Sequence, residues 1–212
     1  MANGLLFASF DYSPAHEDEF HDWYDLEHIP ERLRVPGFLN AQRWLSAEHP
    51  KVAVATYDLT SHAVFSSPEY RAIGYDNASI WTKRVTAIAK RLLRFEGEQI
   101  LPGDGVGPDS ANALLAVAMN VNPAAEVEFN AWYNTEHLPQ LGAVPGVLTA
   151  RRFKAAGPGI ERNYMALYHM TSLDVAKSDA WSKAANTPWT EKMRPHFREP
   201  LILRCVKYVR KG

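Results

Sequence analysis

Four polar residues, Glu27, His28, Arg43 and Tyr57, return 109 to 111 positions later as Glu136, His137, Arg152 and Tyr168. Their types suit one kind of chemistry. A histidine titrates near neutral pH and can move a proton. A tyrosine hydroxyl can hold or protonate a developing oxyanion, and an arginine can fix a carboxylate or enolate. The candidate catalytic residues are therefore His28, Tyr57 and Arg43, with His137, Tyr168 and Arg152 in the second set. Trp23, Tyr24 and Glu27, repeated as Trp132, Tyr133 and Glu136, are the candidate substrate-binding wall.

The elements that must position these groups are themselves duplicated. EFHDWYDLEHIPERLRVPGFLNAQRW at 19–44 aligns without a gap on EFNAWYNTEHLPQLGAVPGVLTARRF at 128–153, and half of the positions are identical. A repeat of this length in 212 residues means two copies of one fold, because solenoid units are shorter. The expected division is a first unit over 1–101, a linker over 102–110 and a second unit over 111–212. The stretch LPGDGVGPDS at 101–110, which contains the linker, is glycine-rich, but Pro108 stands where a dinucleotide fingerprint needs its third glycine.

Each unit reads β-α-β-β-α-β, the ferredoxin-like order. Strands are expected at 4–12, 38–46, 52–59 and 92–100, and at 112–121, 147–154, 164–170 and 201–209. Ser13-Pro14 and Asn122-Pro123 look like helix starts. Pro30 and Pro139 lie inside the helices that follow, so a kink is expected there. Val35-Pro36-Gly37 and Val144-Pro145-Gly146 are turns, with glycine supplying a positive φ. At 100° per residue, Phe20, Trp23, Tyr24, Glu27 and His28 span an arc of about 140°, a sheet-facing stripe. Glu27 falls in its middle, where a carboxylate needs a partner, and Arg43 is the expected one. Glu27 with Arg43 also reads as a purely structural pair. His28 can equally satisfy backbone groups at the Pro30 break. His21, Asp22 and Asp25 change to Asn130, Ala131 and Asn134, which reads as a solvated face rather than a metal site.

Composition excludes several classes. A net charge of −1 leaves no footprint for nucleic acid or an anionic membrane. No apolar run approaches the roughly 18 residues that span a bilayer. The single cysteine, Cys205, rules out an internal disulfide, fits a reducing cytoplasm and reads as a buried inert thiol.

At W-Y-x-x-E-H-[IL]-P and V-P-G-x-L-x-A-x-R, the chain resembles the dimeric α/β-barrel superfamily near its EthD-like members. The resemblance covers both halves. It implies an α+β fold in which two tandem ferredoxin-like repeats join their sheets into an intrachain, pseudo-dimeric barrel. Proteins of this kind include cofactor-free monooxygenases, polyketide cyclases, muconolactone-type isomerases and haem enzymes. Their small-molecule pockets often lie between helices and sheet. The expectation is an enzyme that needs no metal or organic cofactor and acts on an aromatic or enolisable carbonyl compound. A non-catalytic ligand-binding protein and a stress-related barrel are the alternatives. The expected partner is a small molecule, not nucleic acid or membrane, and a homodimer of the fused unit is allowed.

Overall fold

The computed structural model describes residues 2–157 and 159–210. The first repeat runs β1 (Gly4–Asp11), α1 (Glu17–Asp22), α2 (Ile29–Leu33), β2 (Gln42–Ser46), β3 (Val52–Leu59), α3 (Pro68–Arg71), α4 (Ile80–Ile88) and β4 (Lys90–Leu101). The second runs β5 (Ala113–Val121), α5 (Glu126–Trp132), α6 (Leu138–Gly142), β6 (Val147–Ala155), β7 (Tyr164–Met170), α7 (Asp179–Ala185), α8 (Pro188–Met193) and β8 (Phe197–Lys207). Among the described residues no helix is long and apolar enough to cross a membrane.

The eight strands close into one antiparallel barrel in the order β1-β3-β2-β8-β5-β7-β6-β4. Each repeat supplies a ferredoxin-like sheet, and the two sheets join where β2 pairs β8 and β4 pairs β6. Closure leaves no free sheet edge. Every strand lies four places round the ring from its counterpart, so the pseudo-twofold axis runs along the barrel.

Both faces of the strands are covered, which is why β1 reads as a continuous apolar run rather than an alternating one. Leu6, Ala8 and Phe10 pack under the helices of the first repeat. Leu5 and Phe7 point into the barrel with Trp44, Phe95, Phe153 and Leu167. The interior of an eight-stranded barrel is filled by side chains in this way. Cys205 lies in that interior, fully buried, and burial pushes its thiol up to about 12. It is no nucleophile there.

Strands β3 and β7 match their expected residues, but β2 is shorter. Asn40 donates to Asp58 Oδ2 and accepts from the Asp58 backbone N–H, at 2.9 and 3.1 Å. Its side chain thereby replaces the ladder and leaves only a Phe38–Leu59 bridge before β2. Ser13-Pro14 does not start a helix. Asp11 Oδ1 accepts from the Ser13 N–H at 2.9 Å and makes a turn, and α1 begins at Glu17. Gly37 and Gly146 take φ of 101° and 92°, the positive values expected of their turns.

Residues 102–110 are tied across one end of the barrel. Gln99 Oε1 accepts from the Gly103 and Gly105 N–H groups, and its Nε2 donates to the Gly105 carbonyl at 2.7 Å. The Gly107 N–H donates to Asp58 at 2.7 Å. A Cβ at Gly107 would lie 2.7 Å from Gln42 Oε1 and 2.9 Å from His169 Nε2, so a side chain there would have to displace those groups.

Candidate small-molecule site

The retained W-Y-x-x-E-H segment is neither a smooth helix nor a break at proline. Trp23–His28 and Tyr133–His137 form π-helical turns that connect α1 to α2 and α5 to α6. The Ile29 N–H reaches back five residues to the Tyr24 carbonyl, and the Leu138 N–H does the same to Tyr133. Pro30 and Pro139 have no N–H to give and their rings crowd the preceding turn. The wider turn absorbs that conflict, and π turns are frequent at functional sites. The extra residue also shifts the phase of everything after it.

That shift corrects the expected Glu27–Arg43 pair. Glu27 turns to α4, where the N-cap Ser79 donates to its Oε1 at 2.5 Å. Ser79 also accepts from the Thr82 N–H, so the carboxylate sits at the positive end of that helix. Glu136 repeats the arrangement with Thr187, the N-cap of α8. Replacing Glu27 by alanine should lower stability by about 1.5–3 kcal/mol, the range for hydrogen bonds to a charged group. Urea unfolding checks this, and a loss below about 0.5 kcal/mol would contradict the anchoring role.

Arg43 binds Asp25 at 2.7 Å and His21 Nδ1 at 2.6 Å, and lies over the rings of Tyr24 and Tyr208. His21 is buried and stacks on Tyr208 at 4.7 Å. The supposed solvated face at His21 and Asp25 is therefore the seat of Arg43. Arg152 uses the replacements, bonding Asn134 at 2.5 Å and Asn130 at 2.8 Å. The changed residues track a retained arginine.

Trp23, Tyr24, His28 and Tyr57 do converge. They line a cavity of about 750 Å³ between the sheet and helices of the first repeat. Glu27 and Arg43 are not among its lining residues. His28 lies 4.5 Å from Trp23, 5.4 Å from Tyr24 and 6.4 Å from Tyr57, ring centre to ring centre. Trp23 is fixed by donating to Thr82 Oγ1 at 2.9 Å. Burial, then the fields of Arg32, Arg94 and Arg43, hold the His28 imidazole well below its ordinary value, so it is neutral at pH 7. Burial drives the Tyr57 phenol up, and its hydroxyl has no partner among the described residues. Ile160 and Glu161, from the segment between β6 and β7, close the cavity from the other repeat.

Among the lining residues that were not anticipated are two arginines, Arg32 and Arg94. Arg32 is 4% exposed. Arg94 donates to Glu96 and, at 2.8 Å, to the Tyr70 hydroxyl. The clue to them is divergence between the copies, not retention.

In the second repeat, His137 lies 4.3 Å from Trp132 and 5.0 Å from Tyr133. Burial, then Arg152 and Arg194, bring it down to about 4. There the Tyr133 and Tyr168 hydroxyls bond each other at 3.3 Å. Trp181 packs edge-on against Tyr168 at 5.3 Å.

An imidazole that ligates a metal or haem nearly always donates its other N–H to a fixed acceptor. Nδ1 of His28 and of His137 is buried without a partner among the described residues, so neither set of donors suits a haem.

No protein-family model matches the sequence, and no curated protein matches it either. Solved structures do match. A candidate monooxygenase of Fusobacterium nucleatum superposes with a TM-score of 0.66 at 8% identity, over 97% of this chain and 92% of that one. An anthrone oxidase-like protein gives 0.64 at 12% identity, over 99% and 92%. A chlorite dismutase variant from Candidatus Nitrospira defluvii gives 0.60 at 9% identity, over 98% and 91%. The likeness is one of fold. It is the dimeric α+β barrel with a duplicated ferredoxin-like unit, and a fold carries many chemistries.

Proposed function

We propose that this chain is a small-molecule enzyme, near the EthD-like branch of its fold, that moves a proton in the cavity of the first repeat without a cofactor. The observation that carries the reading is His28 and a Tyr57 hydroxyl, unpartnered among the described residues, lining one cavity of about 750 Å³. That volume is typical of ligand sites. The substrate is an enolisable carbonyl compound, flat enough to lie against Trp23 and Tyr24. His28 takes a proton from a carbon next to the carbonyl or, as in anthrone, from a methylene conjugated with it through the aromatic rings. Tyr57 donates to the enolate oxygen as it forms. The carbanion then regains the proton at another carbon, closes on an internal carbonyl or meets dioxygen. These are the isomerase, cyclase and monooxygenase outcomes.

Anthrone is a suitable probe, since its central carbon exchanges protons and an anthrone oxidase-like protein shares the fold. The protein should speed deuterium uptake at that carbon, followed by NMR. His28→Asn should slow the enzymatic exchange by about 10²-fold or more, the usual worth of a positioned base. The thermal midpoint should hold. Because the His28 imidazole lies well below 6.5, the rate should stay level from pH 8 through 6.5 and fall only under more acid conditions. Exchange unchanged in the variant sinks the role of His28.

The second reading, ligand binding without chemistry, draws on the repeated Trp–His packing at Trp132 and His137. It predicts binding of anthrone with no exchange.

A further inference from the structure

The two repeats share their Trp–Tyr–His framework and differ in the charges around it. Arg32 corresponds to Leu141 at the same offset of 109. Arg94 lies opposite Ala8 in the β1–β4 ladder, and the matching position, opposite Val117 in the β5–β8 ladder, is Ile202. Lys83 is the fourth residue after the N-cap of α4, and the fourth after the N-cap of α8 is Glu191. Three cations around the first cavity thus become two apolar residues and an acid in the second repeat.

The first cavity is strongly cationic. Arg32, Lys83, Arg91, Arg94 and Arg162 line it against only Glu96 and Glu161. Arg94 has its counter-ion in Glu96. Arg32 is less well served. Its Nη1 reaches the Ile73 carbonyl at 3.3 Å, its Nε is buried without a partner among the described residues, and Glu31 stands off at 3.7 Å. A guanidinium has five N–H donors, and leaving a buried one short of acceptors is costly. Tyr70 joins the two arginines, since Arg32 lies 5.3 Å over its ring and Arg94 bonds its hydroxyl.

We infer that the first cavity takes an organic acid, its carboxylate held by Arg32 with Arg94 and Tyr70 beside it, and that the second repeat holds no equivalent site. The inference rests on reading this cavity as the substrate site and adds the substrate class. A carboxylate fits the fork of Arg32 in two parallel hydrogen bonds and supplies the acceptors that the protein does not. The aromatic wall takes the rest of the molecule. The bound anion also offsets the field of both arginines at His28, so the imidazole becomes more basic when substrate is present. One binding site per chain follows.

The test titrates the full chain with 2-naphthoate and, separately, with its neutral isostere 2-naphthamide, read by calorimetry. The acid should bind about 10-fold or more tightly than the amide, at one site per chain. Arg32→Leu, the residue of the second repeat, should erase that preference. Arg94→Ile should reduce it, and Arg32→Lys should keep part of it because the charge survives. Equal affinity for acid and amide, a preference that survives both Arg32→Leu and Arg94→Ile, or two sites per chain each overturns the inference. Failure of both probes to bind overturns it together with the cavity reading. Proton exchange on anthrone without any acid preference defeats the inference alone, and acid preference without exchange defeats the proton-transfer reading alone.

Discussion

Replacing Asp58 with alanine should destabilise the protein by about 3–5 kcal/mol, the cost of stranding a buried charge. Asp58 and Arg151 are 2% and 1% exposed, and Arg151 Nη1 donates to Asp58 Oδ1 at 2.5 Å. The second carboxylate oxygen accepts from the Gly107 N–H at 2.7 Å and from Asn40 at 2.9 Å. The carboxylate thus ties β3 of the first repeat to β6 of the second, and both to the segment across the barrel end. Arg151 has little in reserve, because its Nε and Nη2 already lack partners. Its remaining bond, to the Gly105 carbonyl at 3.1 Å, belongs to the same segment. Urea denaturation of Asp58→Ala and of the double variant Asp58→Ala/Arg151→Met measures the effect. The double variant should recover much of the loss, since an apolar pair in a dry barrel leaves no charge unpaired. A loss under about 1 kcal/mol in the single variant would mean that Arg151 escapes to solvent and that the barrel end is not sealed.

This cluster shows where a reading of sequence stops. Asn40, Gln42 and Asp58 differ from their counterparts Thr149, Arg151 and His169, so nothing in the repeat marks them. They meet only because the barrel closes and brings the two repeats onto one axis. The strands themselves were legible, since their apolar runs and flanking turns are local. The joining of β2 to β8 and β4 to β6 is not local, and the barrel was expected from resemblance alone. The candidate site divides in the same way. Trp23, Tyr24 and Tyr57 line the cavity because two-residue and helical periodicity place them correctly, and His28, at the edge of the stripe on a regular wheel, lines it from the end of the π turn. Glu27 does not, because the π turn shifts the phase that a 100° wheel assumes. His21 and Asp25 looked solvated because Tyr208, which covers them, lies 183 residues or more away in the chain. Arg32 and Arg94 were overlooked for a different reason. Residues kept in both repeats build the common framework, whereas a site that serves one repeat has to be sought among the differences.

Acid should unfold this protein in the window between pH 6.5 and about 4. Three imidazoles, His169 fully buried and His28 and His137 half-buried, are held neutral in the native state. Burial and then Arg152 and Arg194 bring His137 down to about 4. Burial, followed by neighbouring arginines, puts His28 and His169 well below 6.5. His169 is fully buried, and among the described residues neither of its ring nitrogens has a partner. In the unfolded chain all three take up protons near 6.5. On acidification the unfolded state therefore binds protons that the native state refuses, and stability falls with pH. The loss starts as pH drops through 6.5 and is complete for each group once pH passes its native value. His137 alone accounts for about 3 kcal/mol, at 1.36 kcal/mol for each pH unit. His28 and His169 add to that, against a total stability of about 5–15 kcal/mol for a typical domain. Urea midpoints measured at pH 7.0 and 4.5 should differ sharply, and His137→Phe should flatten the dependence. The direction matters, because a histidine paired with a carboxylate would give the opposite trend. If the midpoint is unchanged between the two pH values, these imidazoles charge in place and the cavity walls admit water, which would also remove the basis for a neutral His28 at its site.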